Sequence, residues 1–268
     1  MKQKKYYFIS GLPRSGSTLL SAILRQNPFF YADIASPLQG ILENSVNHMS
    51  QCESSQTINN AQRENVLQSI VDGFYKHVDK PFVFDSSRGW TGSTALVKSL
   101  FPYTKIICCV RDVSWVLDSF EKLSNNNPYH TNVFSDEETH HCVETRCDSL
   151  MDVKKGGQVI KPWFWLKEGL SANPEMICLV EYDNLCKTPE QTMRLIYDFI
   201  DQPYYQHDFN NVEYSNDLFD LKISTPNLHK VSGKVEFKQR KSILPDSVLE
   251  KYQNMEFWRT SKSEFLYE

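Results

Sequence analysis

Two groups of residues in this chain have the type and spacing to grip an anionic ester. The first is Gly11-Leu12-Pro13-Arg14-Ser15-Gly16-Ser17-Thr18. It follows the phosphate-binding loop G-x-x-x-x-G-K-[ST], in which backbone N–H groups cradle phosphate oxygens. Gly11, Gly16 and Thr18 keep the glycine and hydroxyl positions, Ser17 stands where the lysine belongs, and Arg14 is the loop's one cation. In NTP hydrolysis that lysine acts with magnesium on the β- and γ-phosphates. Its replacement argues for a phosphate or sulfate ester as ligand and against an ordinary ATPase or GTPase. The second group is Arg111, which ends an apolar run, with Ser119 eight residues later. An arginine fork and a hydroxyl can hold a second phosphate away from the loop.

The surrounding sequence supplies elements to position both groups. Tyr6 to Ile9 is β-prone, and Leu19, Leu20, Ile23 and Leu24 follow the loop with helical spacing. A helix start there offers free N–H groups and the positive end of its dipole. Lys105 to Val110 is the strongest strand, and Val113, Val116, Leu117 and Phe120 continue as a helix. Further strands are predicted over Phe29–Ile34, Pro81–Asp85 and Met176–Val180. Helices are predicted over 36–49, around Val66–Phe74, over 93–100, around 193–200 and near Val248. Apolar strands alternating with amphipathic helices predict an α/β fold, a mostly parallel central sheet with helices on both faces. Ligands of such sheets sit at the carboxyl ends of the strands, where both groups lie.

The chain has 268 residues, of which 40% are hydrophobic, enough for one core, and a single domain over 1–268 is expected. A net charge of −4 argues against general nucleic-acid binding. No stretch reaches the roughly 20 apolar residues of a membrane helix. Seven scattered cysteines, three of them (Cys108, Cys109, Cys178) in strand-like runs, read as reduced thiols. With no secretory leader in evidence, the expectation is a cytoplasmic protein. Residues 124–157 are polar and broken by Asn-Pro and Gly-Gly, which reads as an insertion on the acceptor side with one helix near 137–151. His140, His141, Cys142 and Cys147 lack zinc-ligand spacing, so no metal is expected. Trp163, Phe164 and Trp165 are read as a core aromatic patch.

At this level the sequence resembles the sulfotransferases that use 3′-phosphoadenylyl sulfate (PAPS), bacterial in type and nearest in motif to the tyrosylprotein enzymes. The loop Gly11–Thr18 is similar to their 5′-phosphosulfate loop, and Arg111 with Ser119 to the pair that holds the 3′-phosphate. Phe84 to Trp90 resembles the bacterial Asp-Lys-x-Arg-Gly-Trp segment. Val180 to Leu185, which contains Tyr182, resembles Tyr-Glu-Asp-Leu, and Leu228 to Lys234 resembles Leu-Ser-Lys-Trp-Thr-Gly-Lys. The resemblance runs from about residue 6 to 234. It implies a P-loop-like fold and transfer of a sulfuryl group, without metal, from PAPS to an acceptor hydroxyl or amine. It assigns the donor to Arg14, Ser15, Gly16, Ser17, Thr18, Arg111, Ser119, Tyr182, Ser215 and Lys230. The acceptor stays open among small molecules, carbohydrates, lipids and peptides.

Two positions depart from the pattern. Ala35 stands where the tyrosylprotein enzymes carry a glutamate base, and Ser86 where the bacterial segment carries a lysine. Arg88 can supply charge in place of that lysine, or pair with Asp85. The base is open among Asp33, Glu43, His48 and Asp85. A donor-binding protein without transfer activity, and a P-loop kinase or NTPase with Asp85 as its acid, are the alternatives.

Overall fold

The computed structural model describes residues 4–127 and 142–259. Its centre is a five-stranded, all-parallel sheet in the order β2 (Phe30–Ala32), β3 (Phe82–Ser86), β1 (Lys5–Gly11), β4 (Ile106–Val110), β5 (Ile177–Glu181). Alternation along the strands explains why both faces are covered. Tyr6, Phe8, Val83, Ile106 and Cys108 point into one core; Tyr7, Ile9, Phe84, Ile107 and Cys109 point into the other. The first core is closed by α2 (Leu38–Gln51), α3 (Asn60–Phe74), α4 (Thr94–Leu100), α5 (Val113–Asn126), α6 (Val143–Leu150), α7 (Ile160–Ala172) and α11 (Asp246–Tyr252). The second is closed by α1 (Ser17–Leu24), α8 (Tyr182–Lys187) and α9 (Pro189–Phe199). The α/β architecture expected from the strand–helix alternation is the one observed.

The strand expectations fall on β1 to β5 with ends shifted by a few residues. The two short strands β6 (Val212–Tyr214) and β7 (Val231–Gly233), which pair antiparallel, and α10 (Asp217–Lys222) between them have no counterpart in that reading. Three residues each give too little periodicity to find. Helix α7 was also hidden, because Pro162 near its start reads as punctuation although proline is tolerated in a first turn. Of the 137–151 helix, Val143–Leu150 is observed as α6; residues 128–141, with His140 and His141, lie outside the described residues. The Trp163–Trp165 patch divides. Trp163 donates to the Met255 carbonyl at 2.8 Å and meets the Phe257 ring, Phe164 is exposed, and Trp165 lines a cleft. All seven cysteines are free thiols. Burial pushes the Cys109 and Cys178 thiols up to about 12, so they are inert.

One backbone approach sets the position of the loop after β1. Gly11 has φ +118°, and a Cβ there would lie 2.0 Å from the Cys109 carbonyl oxygen of β4. That same oxygen accepts the Leu12 N–H at 3.0 Å. Only glycine allows the strand to turn this tightly against its neighbour. Gly11→Val should therefore cost about 3 kcal/mol or more, a fall in melting temperature of roughly 6–12 °C. An unchanged melting curve would refute this reading of the turn.

Candidate functional site

The carboxyl ends of β1, β3, β4 and β5 open into a cleft of about 1340 Å³. Its described lining carries four arginines (Arg14, Arg88, Arg111, Arg240), four lysines (Lys122, Lys161, Lys230, Lys238) and no Asp or Glu. In a chain of net charge −4 this is a strong local reversal of sign. Arg240 and Lys238 are paired from outside the lining by Asp118 and Glu236, and the remaining converging cations favour a polyanionic ligand.

The loop forms the floor. Arg14 adopts φ +60°, a left-handed backbone rarely used outside glycine, and this turns its side chain across the cleft. Its Nε donates to Ser119 Oγ at 3.1 Å and its Nη1 to the Leu228 carbonyl at 3.5 Å. Burial lowers the Arg14 pKa, and the Arg111 charge lowers it further; an anion would relieve both effects. Gly16, at φ +94°, precedes α1 and caps it with no side-chain hydrogen bond, which leaves the first-turn N–H groups facing the loop. A Cβ on Gly16 would meet the Tyr182 ring at 2.8 Å. Ser17 and Thr18 line the cleft. The Ser15 hydroxyl does not: it is buried and bonds the Pro13 carbonyl at 3.3 Å, so only its backbone can serve a ligand.

Arg111 leaves β4 between two rings, with its guanidinium 4.2 Å from the centre of Tyr182 and 5.7 Å from that of Trp115. Its Nε is buried with no hydrogen-bond partner among the described residues. Asp112, its sequence neighbour, is taken by Arg259 at 2.7 Å, so the ordinary Arg–Asp surface pair does not form. Desolvation lowers the Arg111 pKa, Tyr182 raises it and the Arg240 charge lowers it. Tyr182 is itself pushed up to about 12 by burial, and so stays a neutral phenol.

Arg240 lies over the other side of Trp115's surroundings, 4.8 Å from that ring, and pairs with Asp118 of α5. Asp118 is fully buried and also accepts from the Ser242 hydroxyl at 2.9 Å and the Ile243 N–H at 2.8 Å. Nothing in the sequence pattern around Arg240 marks it. It enters the cleft because Asp118, one residue before Ser119 on α5, fastens the 240–243 segment.

Arg88 is mounted on a 3₁₀ turn, Arg88–Ser93, that follows β3. The Ser10 hydroxyl holds its carbonyl at 2.9 Å and ties the turn to β1. The anticipated Asp85 pair is not made. Asp85 is buried and accepts from Tyr75 Oη and, at 2.7 Å, from Trp90 Nε1. Arg88 is exposed to solvent and lines the cleft. Confinement by the cleft walls, with the Arg14 charge, lowers its pKa to about 10.

Several expected site residues are elsewhere. Ser215 is exposed after β6 and does not line the cleft. Asp33 accepts from Tyr31 at 3.2 Å, from Tyr214 at 2.9 Å and from the Ile34 N–H at 2.8 Å, while Ile34, Ala35 and Ser36 take the cleft side. Glu43 is exposed and accepts from Ser93, His48 is exposed beside Cys52, and Asp85 is sealed in the core. None of the four candidate bases lines the cleft. Lys230, Ala35 and Ser86 do. A residue the sequence reading passed over, His229, also lines it, with Nδ1 at 2.6 Å from Asp220 Oδ1. Its signal was present: it interrupts the Leu228–Lys234 segment where the resemblance places a serine. Among the described residues no three His, Cys, Asp or Glu side chains form a metal-ligand group, and no helix is long and apolar enough to cross a membrane.

Residues 7–206 match the sequence profile of a sulfotransferase family. No curated protein matches the chain in sequence. Among solved structures, the sulfotransferase domain from the curacin biosynthetic pathway shares 17% identity at TM-score 0.52, over 94% of this chain and 91% of that one. A sulfotransferase from Alicyclobacillus acidocaldarius shares 16% at TM-score 0.52, over 83% and 90%. One from Mycobacterium avium shares 12% at TM-score 0.50, over 97% and 77%. These similarities are of fold.

Asp118→Ala should strand Arg240 and cost about 3 kcal/mol or more of stability. Desolvation raises the Asp118 pKa, but the bonds from Arg240, Ile243 and Ser242 outweigh it, and the net shift is below 3.8. A depressed folded pKa gives stability that is complete above that value and lost as pH falls through the lowered one. Denaturant melts at pH 3 and pH 7 should therefore differ less in Asp118→Ala than in the wild type; an equal difference would count against the assignment.

Proposed function

Given that the chain belongs to the sulfotransferase family, we propose that it moves a sulfuryl group from PAPS to an acceptor hydroxyl or amine without a metal ion. The observation that carries this reading is the cleft at the strand ends, with converging arginines and lysines and no carboxylate among its described lining residues. A donor bearing a 5′-phosphosulfate and a 3′-phosphate brings two separated anionic groups. The loop supports the first, through the α1 N–H groups, Ser17, Thr18 and the Arg14 guanidinium. Arg111 and Ser119 support the second, with Lys230 and Arg240 on the same cleft. The buried Nε of Arg111 and Nη1 of Arg240, with no hydrogen-bond partner among the described residues, are donors in want of an acceptor, which is the fit such a ligand requires.

Arg14 and Arg88 carry the charge of the transfer. As the bond from sulfur to the bridging oxygen breaks, negative charge gathers on the 5′-phosphate. Fixed cations at that point stabilise it without reorganisation, which is the usual dominant contribution to catalysis. Arg88 thereby occupies the electrostatic role left open by Ser86. The Arg14 hydrogen bond to Ser119 couples the two anion sites, so ordering one side helps set the other. An NTPase reading is disfavoured by Ser17 in the lysine position and by Asp85, whose oxygens are consumed by Tyr75 and Trp90.

Titration calorimetry with 3′-phosphoadenosine 5′-phosphate should show binding that EDTA leaves unchanged. Arg111→Ala should weaken it at least about tenfold, since charge-assisted hydrogen bonds contribute about 1.5–3 kcal/mol. Arg14→Ala should lower kcat for transfer of labelled sulfate by roughly 10²–10³. Magnesium-dependent ATP turnover with no affinity for the bisphosphate would overturn the proposal.

A further inference from the structure

We propose that His229, oriented by Asp220, is the general base that removes the acceptor's proton. The inference rests on the sulfuryl-transfer reading above, because only an acceptor attack needs such a base. It begins from the composition of the cleft. The described lining holds arginines, lysines, one tyrosine and one histidine, but no carboxylate. With no carboxylate on the described lining and burial keeping Tyr182 a phenol, the His229 imidazole is the described lining group whose chemistry suits proton acceptance near neutrality.

Its setting suits the task. α10 begins at Asp217 and is capped by the Asn216 side chain, which accepts the Phe219 N–H at 3.2 Å. Asp220 on this helix is almost fully buried, and it grips His229 twice. Oδ1 lies 2.6 Å from the ring Nδ1, and Oδ2 accepts the His229 N–H at 3.0 Å. A carboxylate on Nδ1 fixes that nitrogen as the N–H donor and leaves the Nε2 lone pair as the basic site. Nε2 makes no hydrogen bond to the described residues, and the side chain keeps 17% of its surface exposed. The Phe219 ring, 5.4 Å away, buttresses the imidazole. The Leu228 carbonyl, one residue earlier, accepts from Arg14, so the ring is mounted directly beside the loop that would hold the sulfuryl group.

The electrostatics keep the ring neutral. Desolvation is the main cause that lowers its pKa below 6.5. Asp220 on α10 acts in the opposite direction, while Arg14 from the loop and Arg88 from the 3₁₀ turn lower it further. A base must be unprotonated to act, and this arrangement provides it at neutral pH. The small side chains of Ala35 and Ser86 leave both of those positions on the lining without an acid–base group.

In the step itself the acceptor's O–H proton passes to His229 Nε2 while its oxygen forms the new bond to sulfur. The bond between sulfur and the bridging phosphate oxygen breaks, and that oxygen keeps the electron pair as part of 3′-phosphoadenosine 5′-phosphate. The imidazolium then loses its proton to solvent. Asp220 is a positioning residue: it holds the tautomer and stabilises the imidazolium.

The test uses the full chain, labelled PAPS, and three probe acceptors: 2-naphthol, a tyrosine-containing peptide and n-decanol. His229→Ala and His229→Gln should bind 3′-phosphoadenosine 5′-phosphate within about twofold of wild type, yet lose roughly 10²–10⁴ in kcat. His229→Ala, which strips the buried Asp220 of its ring partner, should melt lower, and His229→Gln, whose amide can still donate to Asp220, less so. The wild-type kcat/KM should rise through an acid limb below pH 6.5 that is absent in His229→Gln. In Asp220→Asn the amide would favour the wrong tautomer, and kcat should fall with the limb displaced. Nitrogen-15 NMR reads the ring independently of turnover and should show a neutral Nδ1–H tautomer at pH 7. Wild-type transfer that persists at full rate in both His229 variants, or a ring that is protonated or Nε2–H at pH 7, overturns the assignment while the sulfotransferase reading stands. Absence of both bisphosphate binding and wild-type transfer overturns the base assignment and the sulfotransferase reading together. If the bisphosphate binds but no probe is sulfated, the NMR result alone decides.

Discussion

The accumulation of positive charge at the ends of the sheet, only part of it paired, is the constraint around which this molecule is arranged. Four guanidinium groups in one cleft repel one another and resist desolvation, and a surface carboxylate is the ordinary remedy. Here the carboxylates are kept behind the cleft and used as anchors. Asp118 grips Arg240 from inside the fold, Asp112 and Glu181 take Arg259, and Asp220 takes His229. Arg14 is satisfied by a hydroxyl and a carbonyl, and Arg111 by the face of a tyrosine. The Asp118 pair offsets the Arg240 charge, but no contact among the described residues neutralises Arg14, Arg88 or Arg111. An anionic ligand would, and its binding energy would draw on the repulsion already present.

The sheet makes this arrangement rigid. All five strands are parallel, so their carboxyl ends and the helix starts that follow face the same side. Gly11 brings the loop against β4, Ser10 fastens the 3₁₀ turn to β1, and Tyr182 wedges between Gly16 and Arg111. Each contact ties the carboxyl end of one strand to its neighbour. The cations are thus carried on the most deeply packed part of the molecule. The far side of the cleft is framed instead by α10, the Gly156–Gly157 turn and Trp165 of α7, outside the sheet.

The base illustrates how a site can be completed by a segment far along the chain. Ala35 and Ser86 are nearer the loop in sequence, and both line the cleft, but neither can move a proton. The residue that can is contributed from beyond β6, on a segment whose position depends on the short β6–β7 pairing and on Asp220. The chemistry and the frame are therefore separable: the sheet positions the anion, and the late segment brings the imidazole.

The sequence by itself determined the α/β architecture, because long buried strands and amphipathic helices write their periods directly into residue order. It also marked Arg14, Arg111 and Ser119 as candidates, since a loop between strand and helix, and a strand end followed by a helix, are local patterns, while Lys230 came only from the family resemblance of its segment. What only the tertiary structure decided were the partners. Asp33 and Asp85 are carboxylates in promising places, yet Tyr214, 181 residues from Asp33, and Tyr75 and Trp90, on either side of Asp85, take their oxygens. Arg240 and His229 sit in segments without a strong period, and they reach the cleft through Asp118 and Asp220. A hydrogen bond across the fold leaves no periodic trace in sequence. Whether a charged side chain is an anchor, a ligand or a base depends on which group meets it in space.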